Sequence, residues 1–150
     1  MERQNDMLPP FEVCVQSGQT AAREALAQFF EALTPLALDV EEKGTIEIVL
    51  AEVLNNIVEH AYPPSAPDGP IEITCAHRPD GLMLEIKDKG AAMPDGQLPL
   101  GQLGSLDVDM QDLPEGGFGW FMIKHLAHDV SYQRLGDENR LQMRLAVRLT

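Results

Sequence analysis

The chain is short of cysteine, of positive charge and of long apolar runs, and each shortage removes a class of protein. Only two cysteines occur in 150 residues. Cys14 and Cys75 belong to no CxxC pair, and each alternates with apolar neighbours in a strand-like run, so both read as buried free thiols rather than a disulfide or metal pair. No apolar run approaches the ~18 residues that span a bilayer. The first ten residues, MERQNDMLPP, contain no apolar stretch of the kind a secretory signal needs. A cytoplasmic protein with no membrane contact is the expectation. Eleven Lys and Arg stand against 24 Asp and Glu, a formal net charge of -13, which disfavours direct binding to a nucleic acid backbone. Basic protein partners suit such a surface better.

What is present is a hydrophobic share of 44%, typical of a globular chain, and a length of 150 residues that suits one domain, 1–150. Neither an internal repeat nor a low-complexity tract appears. FEVCVQ at 11–16 alternates Phe11, Val13 and Val15 with polar neighbours, as a half-buried strand does. The following segment opens with turn and capping residues and places Ala22, Ala25, Leu26, Phe29, Phe30 and Leu33 at helical spacing, until Pro35 ends it. A second helix is predicted over 40–61, weakened near its start by Gly44 and closed by Pro63, Pro64 and Pro67. Alternating runs at 70–77 and 82–87, joined by PDG, predict a hairpin. Residues 91–115 hold no sustained period and read as a lid or binding loop, with a disordered linker as the competing reading. A short helix beginning in GGFGWFMIKHLAHDV and a second hairpin, VSYQRL and RLQMRLAVRL turned by GDEN, complete the chain. The order implies an α+β two-layer sandwich, with helices packed on one face of a mostly antiparallel, mixed sheet.

On the second helix, Ile46, Leu50, Val53, Leu54, Ile57, Val58 and Ala61 form an apolar arc. Glu52, Asn56 and His60, at i, i+4 and i+8, form a polar stripe along its edge. Glu52 brings a carboxylate able to accept a proton, and Asn56 a neutral oxygen able to bind a hard cation such as Mg2+. A solvated helix edge is the competing reading. Asp88 and Gly90, in DKG at the end of a strand, present a carboxylate and a bare backbone at the sheet rim. Such a carboxylate accepts hydrogen bonds from an exocyclic amine like that of adenine, and such a glycine lets a flat base approach. Gly116, Gly117 and Gly119 fall at a helix start, where exposed N–H groups and the helix dipole favour phosphate; a plain turn before a helix competes.

Taken in order, Glu-x-x-x-Asn-x-x-x-His on a helix, Asp-x-Gly after a strand, a long irregular loop and a glycine-rich helix start resemble the GHKL ATPase superfamily, with its Bergerat or histidine-kinase-like ATPase fold. Within it, the chain is most similar to the bacterial anti-sigma-factor serine/threonine kinases of partner-switching systems. EVLNNIVEHAY looks like their N-box, DKGAAMPD their first glycine box and GGFGWFMIKHLAHDV their second. The resemblance implies ATP bound under a lid at 91–115. It makes Glu52 the general base and Asn56 the Mg2+ ligand, with His60 extending that line. Asp88 then holds the adenine amine beside Gly90, and Gly116, Gly117, Phe118 and Gly119 surround the phosphates. Ala92 stands where the family pattern has a second glycine. The partners implied are a STAS-type anti-anti-sigma factor, which would be phosphorylated, a sequestered sigma factor and a second copy of the chain. A nucleotide-binding module without phosphoryl transfer is the alternative, and keeping both Glu52 and Asn56 argues against it. A sensor histidine kinase is not expected, because 150 residues leave no room for a phosphoacceptor hairpin.

Overall fold

Five strands form one sheet in the order β1-β2-β3-β5-β4, comprising β1 (Phe11–Gln16), β2 (Pro70–Arg78), β3 (Gly81–Asp88), β4 (His128–Leu135) and β5 (Glu138–Leu145). The computed structural model describes residues 8–63, 67–93 and 117–146. All four described ladders are antiparallel, so the mixed component expected of the sheet is not found among these strands. Among the described residues three α-helices, α1 (Ala21–Ala32), α2 (Val40–Asn56) and α3 (Gly117–Leu126), supply the second layer. The irregular stretch predicted at 91–115 lies outside the described residues from 94 onward.

The core follows from alternation. Ile71, Ile73 and Cys75 on β2, Leu82, Leu84 and Ile86 on β3, and Leu141, Met143 and Leu145 on β5 are buried at every second position. They meet Ala25, Phe29 and Leu33 after and along α1, and Ile46, Val49, Leu50, Val53 and Leu54 of α2, in one cluster. Removing this much apolar surface from water is the main force holding sheet to helices. Cys14 departs from expectation: it shares the outer face of β1 with Glu12 and Gln16 and is exposed, whereas Cys75 is buried, its thiol pushed up to about 12 by burial. Both are free.

α2 starts at a capping box that the sequence reading passed over. Asp39 accepts the Glu42 amide at 2.8 Å, and Glu42 returns a carboxylate to the Asp39 amide at 3.0 Å. α1, by contrast, has no side-chain cap; the Thr20 hydroxyl donates instead to Glu24. No helix among the described residues is long and apolar enough to cross a membrane.

Candidate functional site

The last turn of the second helix is π-helical, from Ile57 to Ala61. Ile57, which opens it, and Tyr62, which follows it, are buried five positions apart, and the Tyr62 amide donates to Ile57 O at 3.0 Å. An α-helix would have turned Ala61 into the core; here Ala61 and Val58 stay half-buried and Tyr62 takes that place. The Ala61 carbonyl, at the helix end and so without an intrahelical donor, accepts the Ala91 amide at 2.8 Å. The end of this helix is thereby tied to the segment leaving β3.

The turn divides the predicted polar stripe. Glu52 and Asn56 both lie within α2, one turn apart, with Glu52 half-buried and Asn56 only 8% exposed. His60, inside the π turn, points to solvent with its side chain 66% exposed, 3.9 Å from Glu59. Glu52 makes no hydrogen bond or ion pair with a described residue. The Asn56 carboxamide makes none either, and its Nδ2 is enclosed without a partner. A buried amide left so costs on the order of 1–3 kcal/mol unless a ligand completes it. Asn55 is exposed, on the other side of the helix.

Asp88 is the last residue of β3 and keeps the inward phase of Leu82, Leu84 and Ile86, so a carboxylate occupies the end of an apolar row, 5% exposed. Desolvation there raises its pKa, opposed by hydrogen bonds from Asn139 and the Gly90 amide and by the nearby Arg134. Oδ1 accepts the Gly90 amide at 2.9 Å and Asn139 Nδ2 at 2.8 Å. Oδ2 receives no hydrogen bond from a described residue.

Gly90 answers a constraint other than the one the sequence suggested. A Cβ added there would lie 2.3 Å from Ala61 O and 2.7 Å from Ala61 Cβ. The glycine is required by the close approach of the helix end, whatever else comes near it. Ala92, beyond the anchored Ala91, is exposed. Gly117, Phe118 and Gly119 form the first turn of α3, where backbone N–H groups lack intrahelical acceptors. Gly116 lies outside the described residues.

Four contributors, Asn139, Tyr132, Arg134 and Tyr62, went unnoticed in the sequence. Asn139 was read as part of a four-residue turn, but the turn is only Gly136 and Asp137, with Gly136 at φ +62°, so β5 begins at Glu138. This brings Asn139 directly opposite Asp88. Counting back by twos from Leu145 through Met143 and Leu141 would have placed it on the inner face. Tyr132 and Arg134 of β4 both donate to Asn139 Oδ1, and Tyr132 also accepts the Met93 amide at 3.0 Å. Tyr62, buried below, bridges Pro70 O and the Lys89 amide through its hydroxyl at 2.8 and 2.7 Å.

Glu52 and Asn56 on a helix edge, Asp88 at a sheet end and Gly117 and Gly119 at a helix start are the candidate-site features that the structure describes. The family model of the histidine kinase-like ATPase domain matches residues 15–145. The chain belongs to the histidine-kinase-like ATPase family. That membership implies ATP use. The chain is 36% identical over 102 residues to the serine/threonine-protein kinase BtrW of Bordetella bronchiseptica, covering 66% of this chain and 67% of that one. It is 32% identical over 95 residues to the serine-protein kinase RsbW of Staphylococcus aureus, covering 62% and 57% respectively. With RsbW of Bacillus cereus the match spans 55% of the relative's length. Among solved structures, the RsbU and RsbW domains of a Mycobacterium tuberculosis protein superpose on 95% of this chain, and 34% of that one, with a TM-score of 0.63 at 19% identity. A histidine kinase domain from Erythrobacter litoralis covers 87% of this chain and 64% of its own at 0.51 and 16%. At those identities the shared property is the fold.

Proposed function

We propose that this histidine-kinase-like ATPase domain is an ATP- and Mg2+-dependent protein serine/threonine kinase of a bacterial partner-switching system. Its enzyme class is that of the relatives named BtrW and RsbW. The observation that carries the reading is the pairing of Glu52 and Asn56 one turn apart on α2, both without partners among the described residues. A module that only binds nucleotide needs no carboxylate beside an unsatisfied amide.

In this reading Asp88 Oδ2 accepts the adenine amine, and the amides at the start of α3 donate to phosphate oxygens. The acceptor hydroxyl of a serine or threonine on a second protein attacks the γ-phosphorus as its proton passes to Glu52. The bond from that phosphorus to the β,γ-bridging oxygen breaks, and ADP leaves. Asn56 Oδ1 accepts no hydrogen bond from a described residue and would serve as the Mg2+ ligand, while its enclosed Nδ2, a donor, would need an acceptor such as a phosphate oxygen. No group of three or more His, Cys, Asp or Glu among the described residues is placed to hold a metal, so Asn56 would share the ion with phosphate oxygens and water. Bound there, Mg2+ supplies neutralisation of phosphate charge.

The phosphorylated partner is proposed to be a STAS-type anti-anti-sigma factor, and the sequestered partner a sigma factor, with the chain acting as a cytoplasmic homodimer. A net charge of -13 supports a basic sigma factor as the held protein. Incubation with Mg·ATP and the STAS protein encoded nearby tests this, with phosphate expected on a serine or threonine of that partner. Nucleotide binding with no transfer would leave the regulatory-module reading.

A further inference from the structure

We propose that Asn139 is a positioning residue for base recognition, holding Asp88 so that one carboxylate oxygen is kept as a pure acceptor for an exocyclic amine. The inference rests on the reading of Asp88 as the group that meets the base.

The orientation of the Asn139 carboxamide follows from its neighbours. Its Oδ1 faces Arg134 Nη1 at 3.1 Å, and a guanidinium only donates. The other end must then be the amine, which donates to Asp88 Oδ1 at 2.8 Å and to Ala91 O at 2.9 Å. Asn139 is 5% exposed, so a carboxamide turned the other way would bury two repulsive contacts. With Asn139 and the Gly90 amide both donating to Oδ1, that oxygen is saturated and a proton has no favourable place on it. The charged groups around Asp88 are Arg134 from β4 and Glu138 from β5, with opposing effects, and the Tyr62 hydroxyl lies beneath from the end of the π turn. Burial pushes Asp88 toward its neutral form, and the two hydrogen bonds on Oδ1 are what opposes it most.

The form decides the base. An ionised carboxylate accepts from an amine and repels a ring carbonyl; a protonated one can donate to the carbonyl instead. Asn139 thus favours an aminopurine over an oxopurine without touching either. Arg134 Nη1 also donates to Gly90 O at 2.7 Å, which fixes the backbone flanking the carboxylate.

Two variants test this. Asn139→Asp keeps the shape and the acceptor oxygen but replaces the donor with a second carboxylate, while Asn139→Leu removes both. In the nucleotide-free protein, the Asp88 carboxyl carbon is titrated by NMR, and binding of ATP and ITP is measured across pH. Both variants are expected to raise the Asp88 midpoint by at least about one unit. In both variants the loss of ATP affinity on acidification, and the shrinking of the ATP-to-ITP preference with it, are expected to set in at a higher pH than in the parent. An unchanged midpoint and an unchanged preference in a folded Asn139→Asp protein would overturn the proposal. Failure of the unsubstituted protein to bind either nucleotide would sink the kinase reading and base recognition with it, whereas nucleotide binding with an unmoved Asp88 midpoint would overturn only the role of Asn139.

Discussion

The Ala61 carbonyl accepts the Ala91 amide at 2.8 Å, and the space beside it is so tight that Gly90 has no room for a side chain. Helix end and strand end are thus one unit, with Asn56 on one side and Asp88 on the other. Gly90→Ala must push the π turn away from β3. Such overpacking costs about 1–3 kcal/mol, read as a lowered urea midpoint, and nucleotide affinity should fall with it.

Tyr62→Phe tests the same junction from below. Its hydroxyl satisfies both Pro70 O and the Lys89 amide. Removing it leaves two part-buried backbone groups wanting partners, a loss of about 1–3 kcal/mol in chemical denaturation. A midpoint unchanged from that of the parent would show that water replaces the hydroxyl at no cost.

Asp88→Asn should separate stability from function. Burial raises the Asp88 pKa above its ordinary 3.8, so the folded state holds its proton more tightly than the unfolded chain, and stability declines as pH rises through that window. An amide oxygen at the same place still accepts from Gly90 and Asn139, without the buried charge. The variant should be as stable as the parent or more so at neutral pH, yet bind ATP far more weakly. Calorimetric scans beside nucleotide titrations check both halves.

His77 is the acid-sensitive point. It is buried on β2, its Nδ1 accepts the Leu8 amide at 3.1 Å, and its Nε2 has no partner among the described residues. Burial lowers its pKa below 6.5, so its contribution to stability is fully present above that pH and is lost as pH falls through the lowered folded value. Unfolding free energies at pH 7.5 and in the mildly acid range should differ for the parent and differ less for His77→Leu.

Much of the fold was legible because period carries it. The alternation at 70–77 and 82–87 located β2 and β3 to within a residue or so of Pro70–Arg78 and Gly81–Asp88. The arc of Ile46, Leu50, Val53 and Leu54 identified the buried face of α2. Legibility failed where one residue changes phase. The π turn cannot be read from a 3.6-residue period, so His60 was aligned with Asn56 but stands in solvent. A two-residue turn was read as four, which hid Asn139 from its place opposite Asp88. Cys14 was expected inside although its neighbours Val13 and Val15 already claimed the inner face. That Gly90 must also clear Ala61 was not legible, because the contact comes from a residue far along the chain.

The central claim is that Glu52 takes the proton while Asn56 and Asp88 hold what reacts. Single-turnover transfer from Mg·ATP to the STAS partner, measured beside nucleotide affinity, tests it most directly. Glu52→Ala should reduce transfer by about 10²-fold or more while leaving ATP affinity within a few-fold of the parent. Transfer by Glu52→Ala at the parental rate, or a loss of ATP binding as large as the loss of transfer, would contradict the account.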